Sequence, residues 1–386
     1  MPPKKKEEKK LLLGRPGNTL KMGIVGLPNI GKSTTFNVLT KLKVPAENYP
    51  FCTQEPNNAQ VMVPDQRFNK LIEMYKPPKS SGATLLVTDI AGLVPGASEG
   101  KGLGNAFLSH IQAVDGIYEV IRIFEDPTVV HTQDEVNPIA DLETIHTELI
   151  AKDLQHVRAW IEDADKVVKR IKDKNKEEEL AILQRVCKVL EDGKLIKDID
   201  WSPNEVEELN KHLLLTAKPI IYLLNMSIEE YKKKKNKHLK NIVEWINAHG
   251  GGTVIPYSAA YEEQVVEAEN KEQFCKDQGA PSAIGKIIKA GYQSLGLIHF
   301  FTTLNNDLRC WSIRTGTVAK KAAGQVHTDM EEGFIAADVI KYSDLAELGS
   351  EAAVKAAGKL KKSGKDYVVE DGDIMFFKFN PSKKKK

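Results

Sequence analysis

The feature that most constrains this chain is a glycine motif near its start. Residues 26–33 read Gly-Leu-Pro-Asn-Ile-Gly-Lys-Ser, which fits the GxxxxGK[ST] pattern. The motif follows an apolar run, 22–25, and precedes a helix-like stretch, 33–42, as a phosphate-binding loop requires. Backbone N–H groups and the lysine can then surround phosphates, and the serine hydroxyl can ligate Mg²⁺. The predicted phosphate-site residues are Asn29, Ile30, Gly31, Lys32, Ser33 and Thr34.

A second motif, Asp89-Ile90-Ala91-Gly92, follows the apolar run 85–88. A carboxylate in this position can hold the Mg²⁺ shell, and the Gly92 N–H can sense the γ-phosphate. Thr53 lies between the two motifs, where a threonine is able to close over Mg²⁺ when the γ-phosphate is present. Together the motifs predict a magnesium-dependent nucleoside triphosphatase with Ser33 and Thr53 as metal ligands.

Recognition of the base is expected at residues 225–228, Asn-Met-Ser-Ile, which end a further apolar run. A GTPase carries Asn-Lys-x-Asp here, and its aspartate accepts hydrogen bonds from guanine, so a site built on them rejects analogues that lack these donors. That aspartate is missing, which predicts a loss of guanine preference. Ser258 ends the last apolar run and resembles the final base-contacting loop of the same class. Asn225, Met226 and Ser258 are therefore the predicted base-side ligands.

Short apolar runs alternate with helix-like stretches between residues 21 and 258. This alternation is typical of a parallel sheet with helices on both faces, and ligands bind at the carboxyl edge of such sheets. The predicted fold class is α/β, with a P-loop NTPase sheet. The predicted strands are 22–25, 85–88, 117–121, 220–224 and 254–257.

Two helical patterns interrupt this domain. Apolar residues recur three to five positions apart from 139 to 171, and again from 180 to 190 before Gly193. We expect two antiparallel helices that project as an arm, since the first would reach about 50 Å at ~1.5 Å per residue. Helices lying flat on the sheet are the alternative. After Gly296, short alternating runs such as 310–313 and 374–379 predict a small α+β domain.

Charge distinguishes the body of the chain from its ends. The net charge is +2, but residues 1–10 carry +3 and 383–386 carry +4, so residues 11–382 carry −5. Basic tails are either solvated or bind a polyanion. The predicted organisation is a basic disordered tail at 1–18, a nucleotide domain at 19–294 with a helical insertion at about 137–205, the α+β domain at 295–380, and a lysine tail at 381–386.

Composition indicates a multidomain protein of the cytoplasm, and the nucleus is a further candidate compartment. No apolar run reaches the ~18 residues of a membrane span, and the first residues do not form a signal-peptide pattern. Four scattered cysteines, Cys52, Cys187, Cys275 and Cys310, fit neither a disulfide framework nor a zinc site. We expect a monomer with no membrane partner.

These motifs, in this order, resemble the Obg-like ATPase (YchF) family of P-loop proteins over nearly the whole chain, and a eukaryotic member in particular. The resemblance implies an ATP-preferring hydrolase with an inserted helical arm, a C-terminal TGS domain and an association with ribosomes, and it points to Thr53 as a Mg²⁺ ligand. This chain departs from the family's Asn-x-x-Glu motif, because Ile228 stands at the fourth position and Glu229 follows. The resemblance rests on residues 26–34 (GLPNIGKST), 49–53 (YPFCT), 89–94 (DIAGLV), 102–110 (GLGNAFLSH) and 370–373 (EDGD).

Hydrolysis needs a residue that orients the attacking water, and Leu93, which follows the second motif, cannot do so. His110 is the candidate, because it follows a glycine-rich stretch, 96–104, that is able to swing it inward, and the family resemblance points to the same residue. A surface or core histidine without a catalytic role is the alternative. Asn29 is a candidate ligand for K⁺, as in the potassium-activated members of the wider class that it resembles.

The leading hypothesis is an ATPase that acts as a ribosome-associated switch and hydrolyses GTP less well. A GTPase with degenerate base recognition is the enzymatic alternative. An adaptor that binds ribosomes or structured RNA, with incidental turnover, is the alternative from another class. Lysine clusters at 232–237 and 355–365 are candidate phosphate-backbone contacts or solvated faces. The sequence identifies neither the downstream pathway nor the ribosomal or protein partner.

Overall fold

The computed structural model of this chain describes residues 12–15, 17–41, 57–90, 110–126, 136–171, 173–304 and 306–380. Its first sheet contains β1 (Lys21–Val25), β2 (Asn58–Met62), β4 (Thr84–Asp89), β5 (Gly116–Arg122), β6 (Ile220–Asn225) and β7 (Thr253–Tyr257). The strand order is β2-β4-β1-β5-β6-β7, and only β2 runs antiparallel to its neighbour. The predicted α/β class is confirmed, and β1, β4, β5, β6 and β7 correspond to the five predicted strands.

The central strands β5 and β6 are buried on both faces, which is why they appear in the sequence as continuous apolar runs. Every residue of β5 and β6 is buried, because helices cover both faces of the sheet. Tyr118 of β5 donates a hydrogen bond to the carbonyl of Ile287, which lies on a covering helix. The ring centre of His146, on another helix, lies 6.2 Å from that of Tyr222 on β6. The helices of this domain are α1 (Lys32–Thr40), α2 (Gln66–Tyr75), α6 (Ile228–Lys233), α7 (Leu239–Ala248), α8 (Ala259–Glu267), α9 (Lys271–Gln278) and α10 (Ile284–Ser294).

The helical insertion consists of α3 (Pro138–Arg170), α4 (Lys174–Glu191) and α5 (Pro203–His212). Asn137 caps α3 and Pro138 occupies its first turn, which is the usual chemistry of a helix start. Both predicted arrangements of the insertion occur along α3. Its first turns, with Leu142 and Leu149, join the core of the sheet domain, whereas Val157 belongs to a separate apolar cluster with residues of α4 and α5.

The C-terminal domain has a second six-stranded sheet. Its elements are β8 (Leu297–Leu304), β9 (Asp307–Arg314), α11 (Ala319–Val326), α12 (Thr328–Glu332), β10 (Phe334–Lys341), α13 (Tyr342–Leu348), α14 (Glu351–Ala356), β11 (Lys361–Ser363) and β12 (Asp373–Phe379). The sixth strand is β3 (Lys79–Ser81), and the order is β11-β10-β12-β8-β9-β3. The nucleotide domain therefore supplies one edge strand of this sheet, which the sequence did not predict.

Polar contacts reinforce this joint between the domains. The Arg67 guanidinium donates to Asp371 at 2.9 Å, and the imidazole of His299 lies 2.8 Å from the carboxylate of Asp65. Burial acts to raise the pKa of Asp65, but hydrogen bonds from His299 and Arg67 outweigh it and hold that pKa well below its usual range. The Glu370-Asp371-Gly372-Asp373 motif thus forms part of a domain contact.

Among the described residues, no helix combines the length and apolar character needed to cross a membrane. Cys187, Cys275 and Cys310 are free thiols. Of the predicted tails, residues 1–11, 16 and 381–386 lie outside the described residues. The rest of the predicted disordered tail, 1–18, is ordered by contacts with the C-terminal domain, because Arg15 and Asn18 accept hydrogen bonds from Arg314 at 2.6 and 3.0 Å.

Candidate nucleotide-binding site

The glycine motif forms the turn between β1 and α1 at the carboxyl edge of the first sheet. Gly26 has φ 153° and Gly31 has φ 98°, in the left-handed region that favours glycine. A Cβ on Gly26 would lie 2.1 Å from the Ile30 side chain, and one on Gly31 would lie 2.3 Å from Asn225. Asn29 also has a positive φ, of 59°. The loop is therefore folded tightly over the strand end, and the helix that follows presents its N-terminus to this edge.

Lys32 begins α1 and is only 8% exposed. Its ammonium donates to the carbonyl of Leu27 at 2.6 Å, across the turn of the loop. Burial lowers the pKa of Lys32 to about 8, and the nearby Asp89 carboxylate opposes that shift. The ammonium is thus held inside the loop, with one carbonyl as an acceptor, in the position where a P-loop lysine meets phosphate oxygens.

Asp89 ends β4 and lies beside the P-loop, as the two motifs predict. Burial raises the pKa of Asp89, while the charge of Lys32 and a hydrogen bond from Ser33 oppose the shift. One carboxylate oxygen of Asp89 is buried and accepts no hydrogen bond from the protein. A hydroxyl beside a carboxylate with a spare lone pair is a donor set that suits Mg²⁺ completed by phosphate oxygens and water. The described residues contain no cluster of three or more acidic, histidine or cysteine ligands that would hold a metal ion alone.

Asn225 ends β6 and connects the P-loop to the base side of the site. Its side-chain nitrogen donates to the Ile30 carbonyl at 2.9 Å, and its oxygen accepts from the Ala259 N–H at 3.0 Å. The side chain is 3% exposed. The structure therefore gives Asn225 a role in holding two binding loops together, in addition to any contact with the base.

The other predicted base-side residues are buried as well. Met226 is 2% exposed and donates its N–H to the Tyr257 carbonyl at 2.8 Å. Ser258 is fully buried, and its hydroxyl caps α8 by accepting from the Tyr261 N–H. Their side chains thus support the loop. A cavity of about 510 Å³ opens beside this loop and is lined by residues that include Ile123, Ser227, Ile228 and Asn236.

Among the described residues, no hydrogen bond or ion pair joins His110 to the P-loop, so its predicted catalytic role stays a prediction. Residues 110–112 are helical, and the His110 carbonyl accepts from the Ala113 N–H at 3.1 Å. Asp115 then donates its N–H to the carbonyl of Lys21, the first residue of β1, at 2.8 Å. His110 is exposed, and the turn that follows it reaches the edge where β1 and β5 begin, whereas the P-loop follows the other end of β1. The five residues of β1 span about 13 Å from the first Cα to the last, at ~3.3 Å per step.

Several predicted residues lie outside the described part of the chain. They are Thr53 and Gly92, together with Leu93 and the glycine-rich stretch before His110. Their predicted roles stay predictions.

Three residues that hold the site in place were not identified from the sequence: Thr35, Tyr257 and Lys218. The Thr35 hydroxyl bonds to both the Gly31 carbonyl and the Tyr257 hydroxyl, at 2.8 and 2.6 Å, and so anchors α1 to β7. Lys218 is buried and bonds to the segment after His110. A lysine two residues before the buried strand β6 is the one sequence signal that marks Lys218.

Family models match both ends of the chain. A model described as a 50S ribosome-binding GTPase matches residues 21–157. A model of a YchF-type GTPase C-terminal region, described as a protein of unknown function (DUF933), matches residues 297–380. The first match covers β1, β2, β4 and β5 of the first sheet and the start of α3, but not β6 or β7, and the second covers the C-terminal domain from β8 to β12.

Full-length relatives are similar over the whole chain. Obg-like ATPase 1 of Oryza sativa subsp. japonica is 52% identical over 389 residues, which cover 99% of each chain. Obg-like ATPase 1 of Homo sapiens is 49% identical over 395 residues, which cover 100% of each chain. The structure of the Schizosaccharomyces pombe YchF GTPase superposes with a TM-score of 0.89 at 46% identity, and covers 96% of this chain and 100% of that one.

Proposed function

The chain belongs to the Obg-like ATPase (YchF) family of P-loop nucleotide hydrolases, and on that premise we propose that it hydrolyses ATP with Mg²⁺ and acts as a ribosome-associated molecular switch. The observation that carries the proposal is the juxtaposition of Lys32, Ser33 and Asp89 at one sheet edge. Three free thiols among the described residues suit the reducing cytoplasm as its place of action.

The residues of the P-loop edge divide the work of phosphate binding. Backbone N–H groups of 29–34 cradle the β-phosphate at the N-terminus of α1, and the Lys32 ammonium exchanges the Leu27 carbonyl for phosphate oxygens. Ser33, with Thr53, would hold Mg²⁺ directly, and Asp89 would accept hydrogen bonds from its water shell. When bound, Mg²⁺ neutralises charge on the β- and γ-phosphates. Asn29 is the residue that we propose for a K⁺ ion.

Preference for ATP over GTP rests on the base-side loop. The position at which a GTPase aspartate would accept guanine donors is Ile228, the first residue of α6. The neighbouring carboxylates are directed elsewhere: Glu230 accepts from Ser227 and Asn236, and Glu229 pairs with Lys233 on the surface. Neither of these two carboxylates of α6 is therefore free to accept hydrogen bonds from guanine in place of the missing aspartate. Guanine then has no extra hydrogen bond that would make it bind more tightly than adenine.

Equilibrium binding separates the two enzymatic hypotheses. Isothermal calorimetry with non-hydrolysable ATP and GTP analogues in Mg²⁺ should give ATP an affinity at least equal to that of GTP. A preference for GTP of tenfold, about 1.4 kcal/mol, would instead support the GTPase with degenerate base recognition.

Contact with the ribosome is proposed for the exposed lysines around β11. Lys361, Lys362 and Lys365 are exposed, and Lys320 is joined to Lys365 by a backbone hydrogen bond at 3.4 Å. Lys359 differs from them, because its ammonium donates to Asp344 and Glu347 at 2.9 and 3.1 Å. The name of the matched family model, a 50S ribosome-binding GTPase, supports the same partner. Such lysines would follow phosphates rather than read bases.

Co-sedimentation with purified ribosomes at several salt concentrations tests this surface. Changing Lys361, Lys362 and Lys365 to Glu should weaken binding and reduce the log–log salt slope by about 2 to 3, since each phosphate contact contributes about 0.7 to 0.9. In the charge-matched control, three exposed lysines of the nucleotide domain, Lys70, Lys240 and Lys286, are likewise changed to Glu. Equal binding by both triple variants and the unmodified protein would place the ribosome site elsewhere, with the helical arm as the next candidate.

A further inference from the structure

The segment that follows His110 is held unusually firmly. We call residues 110–115 the His110 turn. Ile111 is fully buried and Val114 is 1% exposed, although His110 itself is exposed. The Val114 N–H donates to the Ile111 carbonyl at 3.2 Å, and Asp115 exchanges hydrogen bonds with the start of β1. The turn is thus packed into the domain directly after the candidate catalytic residue.

Lys218 bonds to the carbonyl groups of this turn. Its ammonium donates to the carbonyls of Ile111 at 2.8 Å and Gln112 at 3.2 Å, and also to that of Val114. An ammonium has three N–H donors, so each one has an acceptor in the turn. Lys218 is 7% exposed, and its bonds go to neutral carbonyls rather than to a carboxylate. Burial of a charge in this way is costly unless its hydrogen bonds are all made.

The helical arm reaches Lys218 through one carboxylate. Asp153 of α3 is 1% exposed and accepts from the backbone N–H groups of Leu215 and Thr216 at 3.0 and 2.8 Å. It also accepts from the Thr216 hydroxyl at 2.6 Å. These residues form the 3₁₀ turn Leu215–Ala217, which directly precedes Lys218. A displacement of α3 would therefore move the backbone that carries Lys218.

The C-terminal domain reaches the same turn from another side. Arg15 donates to the Gln112 carbonyl at 3.2 Å and pairs with Asp115 at 3.1 Å. Arg314 at the end of β9 in turn donates to the Arg15 carbonyl at 2.6 Å. The His110 turn is consequently a point where contacts from the arm and from the C-terminal domain meet.

These contacts limit where His110 can go. If Ile111 stays in place, His110 moves at most one Cα step, about 3.8 Å, plus the length of its own side chain. The strand β1 between the two edges covers four steps of ~3.3 Å, about 13 Å. His110 therefore moves only a short way along β1 while the turn stays bound to Lys218.

We propose that Lys218 is a positioning residue that holds the His110 turn at the edge opposite the P-loop, and that the arm controls this hold through Asp153 and the Leu215–Ala217 turn. The functional half of the proposal rests on the role of His110 in the proposed function. Release of the hold permits His110 to leave its resting place, so a partner that displaces the arm would raise turnover without touching the nucleotide.

Lys218→Met tests the hold, because methionine keeps much of the side-chain volume and removes all three donors. Hydrogen exchange at the amides of Ala113 and Val114, which donate within the turn, should accelerate about tenfold or more. Basal ATP turnover should rise about fivefold with unchanged ATP affinity, and the rise should vanish in a Lys218→Met/His110→Ala double variant. Lys194→Met, at an exposed lysine of the insertion, is the matched control.

The outcomes separate the hold from the role of His110. Unchanged exchange at both amides in a folded Lys218→Met protein overturns the hold. Faster exchange with the same turnover supports the hold and counts against the proposed role of His110. Higher turnover that persists in the double variant overturns the link to His110. If Lys218→Met does not fold, Thr216→Val removes only the hydroxyl bond to Asp153 and should produce a smaller acceleration at the same amides, whereas no acceleration would overturn the path from the arm.

Discussion

The two ends of β1 teach different things about this protein. At its carboxyl end, the P-loop, Lys32, Ser33 and Asp89 lie together, and the loop is already folded for phosphates. At its amino end, the exposed His110 sits on a turn that Lys218 and Arg15 bind to the domain. The residues for binding are therefore assembled in this conformation, whereas the candidate for orienting water precedes a turn that is fixed to the other end of β1.

With the proposed role of His110, this difference leads us to expect that nucleotide binding and turnover are separately controlled. A preformed phosphate site needs little reorganisation on binding, so we expect the nucleotide to bind in the resting conformation. Turnover that depends on His110 would require a minor conformation, which lowers the basal rate by the fraction of time that conformation is populated. A partner can then raise the rate by shifting that population.

Changing Lys32 to Ala should give the largest effect, because it removes the one P-loop ammonium. We expect ATP turnover to fall about 10²- to 10³-fold, with weaker ATP binding, since a charged donor to the phosphates is lost. Lys41→Ala is the control, as this lysine pairs with Glu267 on the surface at the end of α1. Steady-state phosphate release and ATP titration measure both. Equal activity of the Lys32 variant and the control would show that the P-loop edge does not bind the nucleotide that is hydrolysed.

His110→Ala probes the opposite edge. Turnover should fall about a hundredfold, at the lower end of the range for a positioned catalytic side chain, while ATP affinity stays within twofold. The reason is that no hydrogen bond or ion pair joins His110 to the described residues of the phosphate site. His249→Ala changes another exposed histidine of this domain and should leave both quantities unchanged. Parallel losses of affinity and rate would show that His110 supports the fold.

The sequence predicts best where chemistry is local. The P-loop, its flanking strand and helix, and the fully apolar strands β5 and β6 follow from contiguous residues, and the structure contains them all. The fold class, with its inserted arm and small C-terminal domain, is likewise confirmed. Asp89 could be placed at the P-loop because the carboxyl ends of parallel strands share one edge.

Contacts between segments that are distant in the sequence could not be predicted from it. The side chain of Asn225 bonds Ile30 to Ala259, three segments that no pattern connects. The strand β3 joins the sheet of the other domain through pairing with β9, which depends on how the domains meet. The place of His110 also depends on tertiary packing, because a glycine-rich approach reveals nothing about which edge the chain reaches.

Ile228→Asp tests how the base-side loop of the P-loop edge selects between ATP and GTP. Here the site lacks the carboxylate that reads guanine, so restoring it should shift the GTP-to-ATP affinity ratio about tenfold towards GTP, or about 1.4 kcal/mol. Position 228 begins α6, where an aspartate also suits the helix N-terminus. Ile228→Asn is the matched variant without the charge. The same ratio for both variants would mean that a buried loop, held by Asn225 and Met226, keeps this position away from the base.

The smallest expected effect concerns the opposite edge and pH. Burial lowers the pKa of Lys218 to about 8, while the charge of Asp115 opposes and that of Arg15 adds to the shift. A lysine of the unfolded chain titrates near 10.4, so between pH 8 and 10 the unfolded state binds more protons and this residue makes stability rise with pH. Urea unfolding should therefore show the free energy of unfolding of the unmodified protein increasing by about 1 kcal/mol from pH 8 to 9 relative to Lys218→Met. Lys194→Met should run parallel to the unmodified protein, because its lysine is exposed in both states. If the Lys218 variant also ran parallel, burial would not be lowering the pKa of Lys218, because the carbonyl acceptors of the His110 turn would be replacing the lost hydration of the ammonium.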